Sequence, residues 1–218
     1  MESILISIPH QGNIRAELVG WIVNTIMSGQ SRGQRVGLDL NGSIEKLDCK
    51  RNESAKKILD LNFDYLLSVD SDIVPPPETL EKLLAHNKKI IGALCYSSDT
   101  NGIPYPLIMK KKEGVGYEVD RNIRALMEVD AFAIGCSLIH RSVFEKIKIP
   151  FRYEYDKLGK CLLSEDFHFC EVAKKSGYKI YVDTSLQCSH FRVLDLYSFN
   201  RTMGEAVGKV KKYEVKNA

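Results

Sequence analysis

Several features are scarce in these 218 residues, and each scarcity removes a class of protein. No apolar run approaches the ~20 residues of a membrane-spanning helix, so no span is expected. The formal net charge is only +3, too little to mark a nucleic-acid partner. The six cysteines include no C-x-x-C pair, which argues against a zinc framework and suits reduced thiols in a cytoplasmic protein. In that compartment the sequons at Asn41, Asn52 and Asn200 are idle. The start, MESILISIPH, has no basic stretch before its apolar run and no cleavage-like site, so it reads as a first strand and not as a signal peptide. Neither an internal repeat nor a linker divides the chain. One domain with a sizeable core is expected.

What is present alternates. Ile4 to Ile8 reads as a strand, Ile14 to Met27 as a helix, Val36 to Leu40 as a strand and Glu53 to Leu61 as a helix. Tyr65 to Val69 is a third strand, Pro77 to His86 a helix, and Ile90 to Cys95 a fourth strand. That rhythm predicts an α/β fold with a mainly parallel sheet covered by helices on both faces. Tyr96 to Pro106 reads as a loop, with two or three strands between Leu107 and His140. Ser142-x-x-Glu145 looks like a capping box opening a short helix. A helix from Glu165 stops at Gly177, and Ile180 to Val182 is a last strand. Residues 193–218, with Lys209, Lys211 and Lys212, read as a basic helix or tail whose contact with a membrane is at most peripheral.

The chemistry starts in YLLSVDSDIVPPPETLEKLL. Asp70 and Asp72 sit where an apolar strand ends, and three prolines prevent the strand from continuing. In open α/β sheets ligands lie beyond the carboxyl ends of strands. Residues i and i+2 of an extended segment point the same way, so both carboxylates are expected to reach one point. Mg²⁺ or Mn²⁺ could join them while keeping positions open for phosphate oxygens. Arg51 and Asn52, in CKRNESAKKIL, precede the second predicted helix, where Arg51 could pair with phosphate or stack on a base. Glu165 and Asp166 open a helix whose Phe167, Cys170 and Ala173 face the core, and His190 follows the last strand.

Taken in order, these segments resemble the GT-A glycosyltransferases, in particular family 2-like enzymes. The matching parts are the strand ending in Ile8-Pro9, the Arg51-Asn52 pair, VDSD before proline, GCSLIHRSVFEKI, and SEDFHFCEVAKKSGYKIYVD with a histidine after it. The resemblance covers about residues 3–192 and implies a single Rossmann-like GT-A domain over 1–192. It implies a nucleotide-sugar donor, a UDP-sugar ahead of a GDP-sugar, held with Mn²⁺ or Mg²⁺. Asp72 would ligate the metal, Asp70 the metal or the ribose, and His190 the metal or the diphosphate. Donor contacts would come from Pro9, His10, Asp39, Arg51, Asn52, Asp70 and Ser71. Asp166, beside Glu165, would be the base that deprotonates the acceptor hydroxyl, with inversion of the anomeric centre. One departure is plain: the family shows consecutive acids before glycine-serine where this chain reads LDLNGS.

Acceptor recognition is expected from the second half, at Tyr96, Ser97, Tyr105, Gly135 and the aromatics of Phe151 to Tyr155. The acceptor would be a glycan, a lipid-linked sugar or a protein. Two rival readings remain. A nucleotidyltransferase would carry a glycine-rich phosphate loop after the first strand, and PHQGNIRAEL has one glycine. A non-catalytic sugar- or nucleotide-binding module would bind without turnover.

Overall fold

The computed structural model describes residues 2–99, 102–113 and 116–192. The expected basic segment 193–218 lies outside them. Seven strands form the central sheet, in the spatial order Arg35–Asn41, Ser3–Pro9, Tyr65–Val69, Cys136–His140, Ile90–Leu94, Ile180–Gln187 and Leu126–Val129. Five point the same way, while Cys136–His140 and Leu126–Val129 run against them. The sheet is mainly parallel, as the alternation of elements predicts.

Alternation along each strand decides which helix covers which face. Ile4, Ile6, Tyr65, Leu67, Ile91 and Leu138 pack with Leu18, Trp21 and Ile22 of helix Ala16–Ser31 and with Leu80 and Leu83 of helix Thr79–Ala85. Leu5, Leu66, Ile90 and Ile139 face the other way. They meet Ala55 and Ile58 of helix Leu47–Asp60, Val143 and Phe144 of helix Arg141–Lys146, and Phe169, Cys170 and Ala173 of helix Glu165–Lys175. A strand buried on both faces is apolar along most of its length, which is why these strands read as near-continuous runs, with Ser7 and Ser68 among the buried polar exceptions. Among the described residues, no helix is long and apolar enough to cross a membrane.

The sheet interior leaves little room. A Cβ at Gly92 would fall 2.1 Å from the Phe132 ring. Gly92→Ala is therefore expected to lower stability by about 1–3 kcal/mol through overpacking. Chemical denaturation checks this, and an unchanged midpoint would contradict it.

Five expectations need correction. Between Leu107 and His140 lie five strands among the described residues and not two or three: Ile108–Lys112, Gly116–Val119, Leu126–Val129, Ala131–Phe132 and Cys136–His140. The second helix begins at Leu47, not Glu53, so Arg51 and Asn52 lie inside it and not before it. The Ser142 capping box is absent: His140 is the cap, its ring Nδ1 accepting from the Ser142 backbone N–H at 3.1 Å. Tyr96 to Pro106 is not wholly loop, because Tyr96–Ser98 and Pro104–Pro106 pair as a hairpin. The last strand extends to Gln187, and a short strand Ser189–His190 then pairs with Ile73–Val74. That pairing sets His190 opposite Ile73, one residue from Asp72.

Candidate functional site

The third strand ends in a tight turn. The Ile73 N–H donates to the Asp70 carbonyl at 3.0 Å, so Asp70 to Ile73 folds back and is not extended. This overturns the geometry expected of the two aspartates. Asp70 keeps the parity of Leu66 and Ser68 and faces helix Leu47–Asp60, where its oxygens lie 3.0 and 3.2 Å from Arg51 Nη2. Asp72 is carried past the turn to His190, at 3.2 Å between Oδ2 and Nε2. Asp70, Asp72 and His190 thus do not gather as three ligands, and no group of three or more such side chains does among the described residues.

Arg51 is the hub beneath the site. Its side chain is 2 % exposed and pairs with Asp70 at 3.0 Å, Glu165 at 3.5 Å and Asp166 at 3.6 Å, while Nη1 donates to Ser68 at 3.2 Å. Burial opposes its charge, but the three carboxylates more than offset that and hold its pKa above the ordinary range. A planar five-donor fork suits this duty better than a lysine would. Arg51 is thereby committed to protein carboxylates, and the expected phosphate or base contact has no free guanidinium to make it.

Asp166 differs from its neighbours. It is mostly buried, and its Oδ1 has no hydrogen-bond partner. Burial pushes its pKa up; Arg51 draws it back, Glu165 and Asp70 add to the rise, and the net is about 8. A cleft carboxyl displaced this far is a candidate proton acceptor.

Asp72 and His190 form the other half. The His190 Nδ1 faces the Tyr96 carbonyl, which can only accept, so Nδ1 carries a hydrogen. Nε2 then faces Asp72. The Asp72 hydrogen bond raises the His190 pKa, and His190 lowers that of Asp72. A histidine whose Nδ1 is fixed by a backbone carbonyl presents Nε2 for ligation, an orientation that metal-binding histidines use. Two protein donors suit a hard cation that completes its shell with phosphate oxygens and water. The residues fit such an ion at Asp72 and His190.

These groups meet in a cleft of about 400 Å³. Its walls include Asp70, Ser71, Asp72, Asp166 and His190 together with Pro9, His10, Gln11, Leu47 and Lys50. A second hollow of about 710 Å³ shares Ser71, Asp72 and Arg192 with it. In that hollow the Arg15 guanidinium lies 3.8 Å over the Phe191 ring.

The expected site residues divide accordingly. Pro9, His10, Asp70, Ser71, Asp72, Asp166 and His190 line the cleft. Asn52 does not; its amide bonds both the N–H and the carbonyl of Phe151, at 3.1 and 2.7 Å. Asp39 does not, being tied to Lys57 at 2.7 Å and to Ser7 and Ser54 at 3.3 Å each. Glu165 is buried against Arg51. Tyr96 gives its carbonyl to His190, Ser97 and Tyr105 face each other across the hairpin, and Gly135 accepts from the Asp70 N–H at 2.9 Å. A Cβ at Gly135 would sit 3.2 Å from Asp70 Oδ2, so glycine leaves that carboxylate room. Sequence reasoning passed over Gln11, Leu47, Lys50, Leu107, Ala133 and Arg192, all on the cleft wall. Lys50 had a signal, since it adjoins Arg51; the others are visible only once the strands are ordered.

No family model matches the sequence, and no curated protein matches it either. Among solved structures, A197 from STIV superposes with a TM-score of 0.60 over 88 % of this chain and 87 % of that one, at 21 % identity. The two chains share a fold. The inositol-1-phosphate CTP transferase from T. maritima matches over 97 % of this chain and 98 % of its own, at a TM-score of 0.47 and 12 % identity. A Drosophila β1,4-galactosyltransferase 7 mutant, in complex with manganese, UDP-Gal and xylobiose, matches over 88 % of this chain and 72 % of its own, at 0.48 and 12 %. At those scores neither carries an argument about this chain's chemistry.

Proposed function

We propose that the chain is a metal-dependent glycosyltransferase, moving a sugar from a nucleoside-diphosphate donor to an acceptor hydroxyl. The observation that supports this best is the meeting, in one cleft, of the Asp72–His190 pair with Asp166, whose buried Oδ1 faces Arg51 at 3.6 Å but has no hydrogen-bond partner. The first set suits a cation and the second suits a proton, which are the two demands of glycosyl transfer.

Asp72 and His190 would hold Mn²⁺ or Mg²⁺, which supplies Lewis-acid stabilisation of the departing diphosphate. Asp166 accepts the proton of the acceptor hydroxyl as that oxygen attacks the anomeric carbon, a contribution of about 10²–10⁴-fold. With a single carboxylate in that role the displacement is direct and inverts the anomeric centre; NMR of the first-formed product showing retention would refute this. Arg51 and Glu165 act behind Asp166, fixing its position and the pKa it needs. Pro9, His10 and Ser71 supply donor contacts. The second hollow, with Arg15, Phe191 and Arg192, gives room for a glycan, lipid-linked or protein acceptor. All six cysteines are free, which supports action in the cytoplasm.

Thermal melting of metal-free protein with UDP, GDP and their sugars, with and without Mn²⁺, tests the binding half. Stabilisation follows RT ln(1 + [L]/Kd), so a nucleotide present at about 100 times its Kd adds ~2.7 kcal/mol. The expected result is a metal-dependent shift for one nucleotide, lost in Asp72→Asn. A shift that survives Asp72→Asn would remove Asp72 from the site.

A further inference from the structure

Lys50 is the second buried cation of the site, and its situation is the reverse of Arg51's. Only 2 % of it is exposed, as a residue of helix Leu47–Asp60 lying under the end of the first strand. Its Nζ donates to the His10 backbone carbonyl, and no carboxylate pairs with it among the described residues. A buried ammonium carries three N–H donors and has a high cost unless they are used. One is used. Lys50 also lines the cleft, beside Pro9, His10 and Leu47, a wall of ring and aliphatic surface suited to a flat heterocycle. His10 itself is set closely there, since a Cβ on Gly42 would fall 2.6 Å from its ring.

Asp39, expected among the donor contacts, is engaged elsewhere. Both Asp39 oxygens are held, Oδ1 by Lys57 and Oδ2 by Ser7 and Ser54, and Asp39 is not on the cleft wall. A carboxylate would accept from a base N–H, whereas an ammonium can only donate. We infer that Lys50 selects the nucleobase of the donor by donating to O4 of uracil or O6 of guanine, favouring these bases over cytosine and adenine. The distinction is chemical: uracil and guanine present an oxygen acceptor where cytosine and adenine present an amino donor. A second donor facing Lys50 would leave the ammonium unsatisfied in a buried position. This assignment deepens the glycosyltransferase reading and rests on it.

Calorimetric titration of UDP, GDP, CDP and ADP in Mn²⁺, into wild type and Lys50→Met, tests it. Wild type is expected to bind UDP or GDP at least tenfold more tightly than CDP and ADP. In Lys50→Met the preferred nucleotide should lose about tenfold or more, while CDP and ADP change by less than about threefold, so the gap closes. Equal losses for all four would make Lys50 a phosphate contact and overturn the assignment, as would an unchanged profile. Should Lys50→Met fail to fold, wild type is titrated with 4-thio-UDP or 6-thio-GDP, whose sulfur is a weak acceptor. A loss of about tenfold against the oxygen parent supports the assignment, and equal binding overturns it. Wild type that binds all four nucleotides alike sinks only the role of Lys50. Wild type that binds none sinks the glycosyltransferase reading, and the assignment with it.

Discussion

Replacing Asp166 with asparagine is expected to reduce turnover by about 10²–10⁴-fold while metal-dependent nucleotide binding persists. Asparagine keeps the size and the buried position but cannot take a proton. The pH dependence gives an independent check. Burial, offset in part by Arg51, places the Asp166 pKa at about 8 in the folded chain, against an ordinary 3.8. A base works when deprotonated, so kcat/KM in the wild type should rise with pH towards about 8 and then level. Stability responds to pH with the opposite sign. Between 3.8 and 8 the folded chain holds a proton on Asp166 that the unfolded chain has released. Stability from this group is therefore fully present below the lower value and is lost as pH rises through the upper one. Asp166→Asn should remove that part of the decline. Melts across pH 5 to 9 would show it, and parallel curves for the two proteins would place the titration elsewhere.

Arg51→Met is expected to be the most damaging substitution for stability. The guanidinium is the shared counter-charge for Asp70, Glu165 and Asp166, and its own side chain is 2 % exposed. Removing one partner of a buried ion pair costs about 3–5 kcal/mol, because the remaining charge keeps its desolvation penalty. For a chain of this size that lowers the melting temperature by roughly 6–20 °C. The loss should be smaller at pH 5 than at pH 8, since protonation then relieves the carboxylates left facing one another. A loss below ~1 kcal/mol, or one independent of pH, would show that the cluster has other support. Helix Leu47–Asp60 also carries Lys50, so any residual binding by Arg51→Met would have to be compared at equal folded fraction.

The central strands were legible in the sequence because double burial writes itself as near-continuous apolar runs, as in Ile4 to Ile8 and Tyr65 to Val69, each with one buried serine. Their directions were not. Cys136–His140 reads like its neighbours, yet it runs antiparallel between two parallel strands, and a fully buried strand leaves no mark of its orientation. The start of the second helix was misplaced for a local reason. Its cap is Lys46, whose side chain makes no capping bond, so the usual polar signal is missing. The Asp-x-Asp segment announced a site, but the turn that separates its two side chains depends on one backbone bond, from Ile73 N–H to the Asp70 carbonyl. The partner of Asp72 lies 118 residues further on and is delivered by a two-residue strand, below the length that periodicity can reveal. Lys50 and Arg51 are adjacent basic residues in the sequence. Only packing separates the cation matched by three carboxylates from the one matched by none among the described residues.

The measurement closest to the central claim is product analysis of nucleotide-sugar turnover by mass spectrometry, in Mn²⁺, for wild type, Asp72→Asn and Asp166→Asn. The account predicts that wild type converts a UDP- or GDP-sugar to the nucleoside diphosphate, with the sugar on an acceptor or slowly on water, and that both variants fall sharply. Formation of sugar 1-phosphate with nucleoside triphosphate from the same donor and pyrophosphate would identify a nucleotidyltransferase instead. Binding with no turnover on any acceptor or on water would leave a nucleotide-sugar-binding module, and either result would contradict the account.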